Sequence, residues 1–393
     1  MRILFLSQRV PYPPNRGDKI TTWRLVERMR RDHEVQVVAF AHDEADLEAA
    51  EHLRGQGIET VAVPHRERVR KLAALPLLLT SRPLTLGVYG SRQLQREVDA
   101  LAPGCELAYA YSSSMGAFLE PHAGLRRVMH FAELDSDKWR QYAERKRPPM
   151  SWVYAREHRT LLAFERRIAR AFDENVFCTP LEQAIFEREV PGATSIVLRN
   201  GVDLERFRPQ PQRAEPGHLV FTGVMDYFPN VDACVWMVEE ILPRVRERHP
   251  EARFSVVGSK PTSQVQALAH VPGVTVTGFV EDTRDWLARA AIAVAPLRIA
   301  RGIQNKVLEA LAMGLPVVGT TPATQGVEAS PGRDLLVADT AEAFAAELVR
   351  LLDAPATARD VGQRGRRFVE QRYDWEHTLR PLDELLARLV PGA

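Results

Sequence analysis

The sequence predicts an α/β protein made of two parallel, doubly wound sheets in series, and three observations carry that expectation. Short β-rich runs alternate with helical patterns along the chain, the order of a parallel sheet with crossover helices. The alternation restarts in the second half after a Pro-rich polar stretch, "LERFRPQPQRAEPGH", read as a linker. At 393 residues the chain is long enough for two domains, each with its own core.

Ile3 to Leu6 reads as a buried first strand, and the loop after it, "RVPYPPNRGDK", is stiffened by Pro11, Pro13 and Pro14. A helix follows from about Lys19, where Ile20, Trp23, Val26 and Met29 recur every three residues. Val35 to Phe40, a polar helix from Glu44 to Leu53, and Thr60 to Val63 continue the alternation. Further strands are expected at Leu107 to Tyr111, Arg127 to Phe131 and Asn175 to Cys178. In the second half strands fall at Leu219 to Thr222, at Phe254 to Val257, and within "VTVTGFV", "AAIAVAPL" and "LPVVGT". Each runs into Gly or Pro, as strand-to-helix turns do. The expected domains are 1–208 and 209–373, with a last helix, 374–393, packing back on the first. Ligands of such sheets bind at the carboxyl ends of the strands, here in a cleft between the domains.

With 45% hydrophobic and 26% charged residues and a net charge of +1, the composition is that of an ordinary globular enzyme, and argues against a disordered or nucleic-acid-coating chain. Cys105, Cys178 and Cys234 are scattered without a CxxC pair, which supports neither a zinc site nor a disulfide scaffold and fits reduced cytoplasmic thiols. The N-terminal apolar run is too short for a signal segment. The longest apolar candidate, "LAALPLLL", is interrupted by Pro76 and falls well short of the roughly 20 residues that span a bilayer. A cytoplasmic location is therefore expected.

The densest chemistry lies in "PLRIARGIQNKVLEALAMGLPVVGT". A helix starting near Gly302 or Gln304 presents unpaired N–H groups and the positive end of its dipole, which favour an anion such as phosphate. Arg298, Arg301 and Lys306 add positive charge at the same end, against the dipole, a local cost that an anionic ligand offsets. Glu309 lies within this helix. A carboxylate can accept two hydroxyl protons side by side, as the vicinal diol of a ribose offers. On spacing alone Glu309 is equally a solvated helix residue or an i,i+3 partner of Lys306.

"GIQNKVLEALAMGLPVV" resembles the signature helix of the retaining GT-B glycosyltransferases of family 4, glycosyl transferase group 1. "VFTGVMDYFPNVDA", "FSVVGSKP", "VTVTGFVEDTRDWLARAAIAVAPLR" and a closing "YDWEHTL" follow in the family's order, so the resemblance covers nearly the whole chain. It implies a GT-B fold, two Rossmann-like domains facing across a cleft. It implies Glu309 on the ribose of a nucleotide-sugar donor, and Gly223, Gly302 and the N–H groups of Ile303, Gln304 and Asn305 at the diphosphate or sugar. Gly278, Phe279 and Val280 would hold the base. The chain departs from the family at Arg301, which stands where the pattern has its first Glu, and at Met225, Asp226 and Tyr227, where Arg and Lys are usual. Arginine cannot accept hydroxyl protons but binds phosphate bidentately. Arg298, Arg301 and Lys306 are thus expected to neutralise the diphosphate. Within the family the chain is most similar to the sugar transferases associated with PEP-CTERM/exosortase systems, on the 302–312 helix and the "DSDKW" element.

In the first half, Gly17 and Asp18 are an acceptor-side loop by this resemblance, or a turn with Asp18 as N-cap. "VMHFAELDSDKWRQYA" brings His130, Glu133, Asp135, Asp137 and Lys138 to a strand end, either as an acid-base and hydroxyl-binding cluster or with Asp135 or Ser136 capping the next helix and Asp137 and Lys138 simply solvated. His130, then Glu133, are the expected catalytic residues, with Asp135 and Asp137 on the acceptor side. From Arg140 to Arg170 nine Lys or Arg face three Glu, and Arg66, Arg68, Arg70 and Lys71 precede "LAALPLLL". Such stretches suit an anionic membrane surface, and suit a solvated helix face equally. The expectation is a metal-independent, cofactor-free retaining glycosyltransferase that takes a nucleotide-diphosphate sugar as donor. It would serve a glycan or lipid-linked acceptor in exopolysaccharide or cell-surface polysaccharide synthesis, peripheral at the inner membrane and without nucleic acid as partner. The alternatives are a nucleotide-sugar 2-epimerase-like enzyme and a non-catalytic nucleotide-sugar-binding protein.

Overall fold

The computed structural model describes residues 1–390, which form two compact units. The first comprises Met1–Arg199 and the chain from Leu379, the second Asn200–Thr378.

The first unit holds a parallel sheet of seven strands: β1 (Arg2–Ser7), β2 (Glu34–Ala41), β3 (Thr60–Pro64), β4 (Leu107–Tyr111), β5 (Arg126–Ala132), β6 (Glu174–Phe177) and β7 (Ser195–Val197). Their order, β3-β2-β1-β4-β5-β6-β7, reverses direction between β1 and β4, and ligands of open sheets bind at the carboxyl ends beside such a reversal. Ile3 to Leu6 have no exposed surface, because helices cover both faces of a parallel sheet. Lys19 and Asp46 form a buried ion pair at 2.6 Å. Asp46 also accepts the His42 N–H (2.9 Å), and Lys19 donates to the Tyr12 carbonyl (3.2 Å). This network ties the Pro-rich loop to the first two crossovers. The helix Arg380–Leu389 joins the first unit through buried Leu382, Leu385 and Leu386 and an Arg28–Asp383 pair at 2.6 Å.

The second unit repeats the plan with six strands: β8 (His218–Thr222), β9 (Arg253–Val257), β10 (Val274–Val276), β11 (Ile292–Ala295), β12 (Val317–Gly319) and β13 (Leu336–Val337). The order β10-β9-β8-β11-β12-β13 reverses between β8 and β11.

The division falls at Arg199/Asn200 and Thr378/Leu379, not at 208/209 and 373/374. Residues 200–208 pack as part of the second unit. The Val202 N–H donates to the Tyr373 carbonyl at 2.7 Å, Arg366 donates to the Phe207 carbonyl at 2.6 Å, and a Cβ on Gly201 would lie 2.6 Å from the Trp375 ring. The Pro-rich stretch is internal to this unit as well, with Glu215 paired to Arg289 (2.6 Å) and Arg253 (3.1 Å). Tyr373, Trp375 and Thr378 are buried, which holds the chain in the second unit as far as Thr378. No helix among the described residues is long and apolar enough to cross a membrane.

Candidate active site

At the carboxyl end of β8, Gly223 presses against Gly258, which follows β9. A Cβ on Gly258 would lie 1.7 Å from the Gly223 carbonyl oxygen, and Gly258 has a φ of 147°. Only glycine permits that approach. A Cβ on Gly223 would in turn meet Asn230 Nδ2 at 2.8 Å and Lys306 Nζ at 3.1 Å. The two glycines therefore clear a backbone floor with an ammonium group beside it. The Lys306 ammonium donates to Asn230 Oδ1 (2.7 Å) and lies 4.1 Å from the centroid of the Phe221 ring, while Asn230 Nδ2 donates to the Val224 carbonyl (2.9 Å). Loss of hydration pushes the Lys306 pKa down to about 7.

The helix Asn305–Ala312 starts with Gln304 as N-cap and no side-chain capping bond; the Gln304 amide turns back to the Arg301 carbonyl at 2.8 Å. Val307, Leu308 and Ala310–Ala312 are buried, which fixes the helix against the sheet. Glu309 lies within it, partly buried. Among the described residues its carboxylate has no hydrogen bond and no ion pair, with Lys306 or any other group. Desolvation raises its pKa to about 7, against the opposing pull of Arg206 and Lys306. Its oxygens keep some access to solvent and are unclaimed by protein donors, so a ligand's hydroxyl pair could bind them.

The loop before this helix is braced from behind. Gly302 has a φ of 60°, and a Cβ on Gly326 would lie 2.0 Å from the Gly302 oxygen and 3.2 Å from the Ile303 nitrogen. Gly326→Ala is therefore expected to displace the 302–303 backbone and weaken nucleoside diphosphate binding roughly 10- to 100-fold, at a stability cost of about 1–3 kcal/mol. Titration calorimetry and thermal unfolding of the same variant check the two effects separately.

The sequence places three cations here, but Arg298 is already engaged. Its guanidinium grips Asp232 with two bonds (2.9 and 2.5 Å) and lies 5.4 Å from the Trp236 ring. Arg301 is half-buried in the loop. The 278–280 loop is linked to the glycine floor through Thr277, whose hydroxyl donates to the Gly278 carbonyl (2.8 Å) and accepts from the Gly258 N–H (3.3 Å). Gly278 has a φ of 69°, Phe279 is 74% exposed, and Val280 is half-buried.

In the first unit the strand ends are strained where the sequence places its acid-base cluster. Ser112, after β4, and Ala132, ending β5, have φ of 80° and 61°, and the β5–β6 register shifts between His130 and Ala132. Non-glycine residues rarely adopt such angles, and bulges of this kind re-aim side chains. His130 is fully buried in β5, with Nδ1 bonded to the Tyr109 hydroxyl at 2.7 Å and the Tyr111 ring at 4.7 Å. Burial lowers its pKa to about 3, so the imidazole is neutral at physiological pH. Glu133 is half-buried just after the bulge.

The helix Asp135–Arg145 is capped by neither Asp135 nor Ser136. The Leu134 and Ser136 N–H groups donate to Glu182 and Glu165, each at 3.3 Å. Asp135 holds Lys138 (2.7 Å) and Ser113 (3.2 Å); Asp137 holds Arg140 (2.8 Å) and Gln141 (3.0 Å). Burial, then the Asp135 charge, raises the Glu165 pKa to about 8. Isolated glutamates inside helical patterns gave no signal of this capping role. At the other predicted loop the helix begins at Gly17 with Arg16 as N-cap, so Asp18 is not the cap. It sits in the first turn, paired with Arg16 (2.6 Å) and Arg9 (3.6 Å). Among the described residues no three His, Cys, Asp or Glu side chains are grouped to hold a metal ion.

Residues 216–354 match the family Glycosyl transferases group 1. The D-inositol 3-phosphate glycosyltransferase 2 of Catenulispora acidiphila is 29% identical over 224 residues, 51% of this chain and 52% of that protein, so the chain spans about half the length of that relative. Among solved structures, sucrose-phosphate synthase from Thermosynechococcus elongatus superposes with a TM-score of 0.76 at 18% identity, over 100% of both chains. HepE of Anabaena, solved in complex with UDP and glucose, gives 0.73 at 15% identity over 98% of this chain and 99% of that one. The match to the group 1 glycosyltransferases lies within the second unit, and the two Rossmann-like units each have the architecture seen in GT-B glycosyltransferase structures.

Proposed function

We propose that this protein is a glycosyltransferase that moves a sugar, with retention, from a nucleoside diphosphate sugar to a glycan or lipid-linked acceptor in exopolysaccharide or cell-surface polysaccharide synthesis. The observation that carries the assignment is the juxtaposition of the Gly223–Gly258 floor, the Lys306 ammonium and the partnerless Glu309 carboxylate at the carboxyl ends of β8, β9 and β11. A diphosphate fits the first two, and a ribose diol fits the third. The HepE structure holds UDP and glucose, which makes uridine diphosphate sugars the first donors to test.

Lys306 and the start of the Asn305–Ala312 helix would stabilise charge as it develops on the leaving diphosphate, without a metal ion. The bond from the sugar's anomeric carbon to the diphosphate oxygen breaks, the bond to the acceptor oxygen forms on the same face, and the acceptor proton passes to the departing phosphate. That route needs no strong side-chain base, in keeping with a buried, neutral His130; Glu133 follows the bulge and would orient an acceptor hydroxyl. Gly17, Asp18, Asp135 and Asp137 would shape the acceptor side of the first unit.

The test is to incubate the protein with UDP-, GDP- and ADP-sugars, with and without a lipid-linked oligosaccharide fraction, following nucleoside diphosphate release and the anomeric configuration by NMR. Acceptor-dependent release with the donor's configuration kept is the expected result. A free 2-epimer made without acceptor would identify the epimerase instead, and donor binding without any turnover would identify a non-catalytic binding protein.

A further inference from the structure

A surface of the first unit outside the candidate site is both apolar and basic. The helix Glu67–Ala74 and the single turn Leu75–Leu79 leave four large apolar side chains in water: Leu72 is 69% and Leu79 93% exposed, and Val69 and Leu75 are exposed as well. Val69, Leu72 and Leu75 recur every three residues, so they share one face. The cations Arg66, Arg68, Arg70 and Lys71 are interleaved with them, all exposed, and Arg82 follows. Glu67 is the one acidic residue in 66–82, and Lys71 already pairs with it at 2.7 Å.

A second segment completes the surface. Trp152, 70% exposed, and Met150 begin the helix Met150–Ala171, preceded by exposed Arg145, Lys146 and Arg147. Arg156, one helical turn beyond Trp152 and on its face, clamps the 77–82 turn. Its guanidinium donates to the carbonyls of Leu77, Leu78 (3.1 Å), Thr80 and Arg82 (3.0 Å). Glu157 accepts the Leu84 and Thr85 N–H groups at 2.7 and 2.8 Å. The clamp ties the start of the Met150–Ala171 helix to the turn that carries the exposed Leu79. Large exposed apolar groups, contiguous and rimmed by polar residues, mark an interaction surface.

We propose that this surface docks the protein on an anionic phospholipid bilayer. Leucine and tryptophan side chains enter the headgroup boundary, where an indole is favoured, and the interleaved Lys and Arg meet lipid phosphates. Charge complementarity favours this occupant over a second copy of the chain, whose identical cations would face one another across a two-fold contact. The proposal is independent of the donor-site assignment.

Co-sedimentation with phosphatidylcholine vesicles, with and without phosphatidylglycerol, tests it. The protein is expected to bind only the anionic vesicles, more weakly as salt rises. Leu72→Ser with Leu79→Ser, and separately Arg68→Glu with Lys71→Glu, should each weaken binding tenfold or more. Both variants change exposed side chains, so melting temperature and UDP binding should not move. No binding to anionic vesicles, or binding that survives both variants, would overturn the proposal. So would a dimer in solution that the leucine variant dissociates. Binding abolished only by the charge change would reduce the surface to a polyanion contact and likewise overturn it.

Discussion

Glu309→Ala is expected to weaken nucleoside diphosphate binding by about 100-fold while leaving the protein as stable as before, or more so. Charge-assisted hydrogen bonds are worth about 1.5–3 kcal/mol each, and a ribose diol makes two; the carboxylate's raised pKa means part of that gain goes into ionising it. Glu309→Gln keeps one acceptor oxygen and should lose about tenfold. Removing a desolvated group without a hydrogen-bond partner takes nothing from the empty fold, so urea unfolding should show an unchanged or higher midpoint. Below about pH 7 the wild-type carboxylate takes up a proton, and its share of the affinity should fade.

Lys306→Met should cut donor affinity further, by roughly 100- to 1000-fold, because it removes the ammonium beside the Gly223 floor. Wild-type affinity should decline as pH rises through about 7, where the unliganded amine loses its proton, and the methionine variant should lose that decline. Stability carries the opposite sign. The folded-state pKa of about 7 lies below the ordinary lysine value of 10.5, so between these values the unfolded chain binds more protons and stability rises with pH. The variant should be flat across that window and more stable at its lower end. Calorimetric titrations and urea unfolding at several pH values check both signs.

The longer strands were legible because their apolar runs are continuous. β7 and β13 were not: three and two residues carry no period, and these strands exist only because a neighbour pairs with them. The linker was misplaced because proline and polar composition mark a loop without telling whether it packs. Here Pro209 lies 3.3 Å from where a Cβ on Gly314 would sit.

In the site, local features read well. Lys306 and Glu309 lie near the start of a helix that begins at Asn305, close to the predicted Gly302 or Gln304. Contacts between distant segments did not read. Asp232, which takes Arg298 out of the cation cluster, and Gly326, which braces Gly302, are brought in by tertiary packing alone. The strain at Ser112 and Ala132 was equally hidden, since neither residue type advertises a left-handed backbone.

The most direct test of the donor-site assignment is a double-mutant cycle by titration calorimetry. It crosses wild type and Glu309→Ala with the UDP, GDP or ADP ligand that binds most tightly and with its 2′,3′-dideoxy analogue. If Glu309 receives the ribose diol, the mutation costs about 100-fold on the ribonucleotide and almost nothing on the dideoxy form, a coupling of about 2–3 kcal/mol. Equal losses on both nucleotides would contradict the account, because Glu309 would then act on the site without touching the ribose.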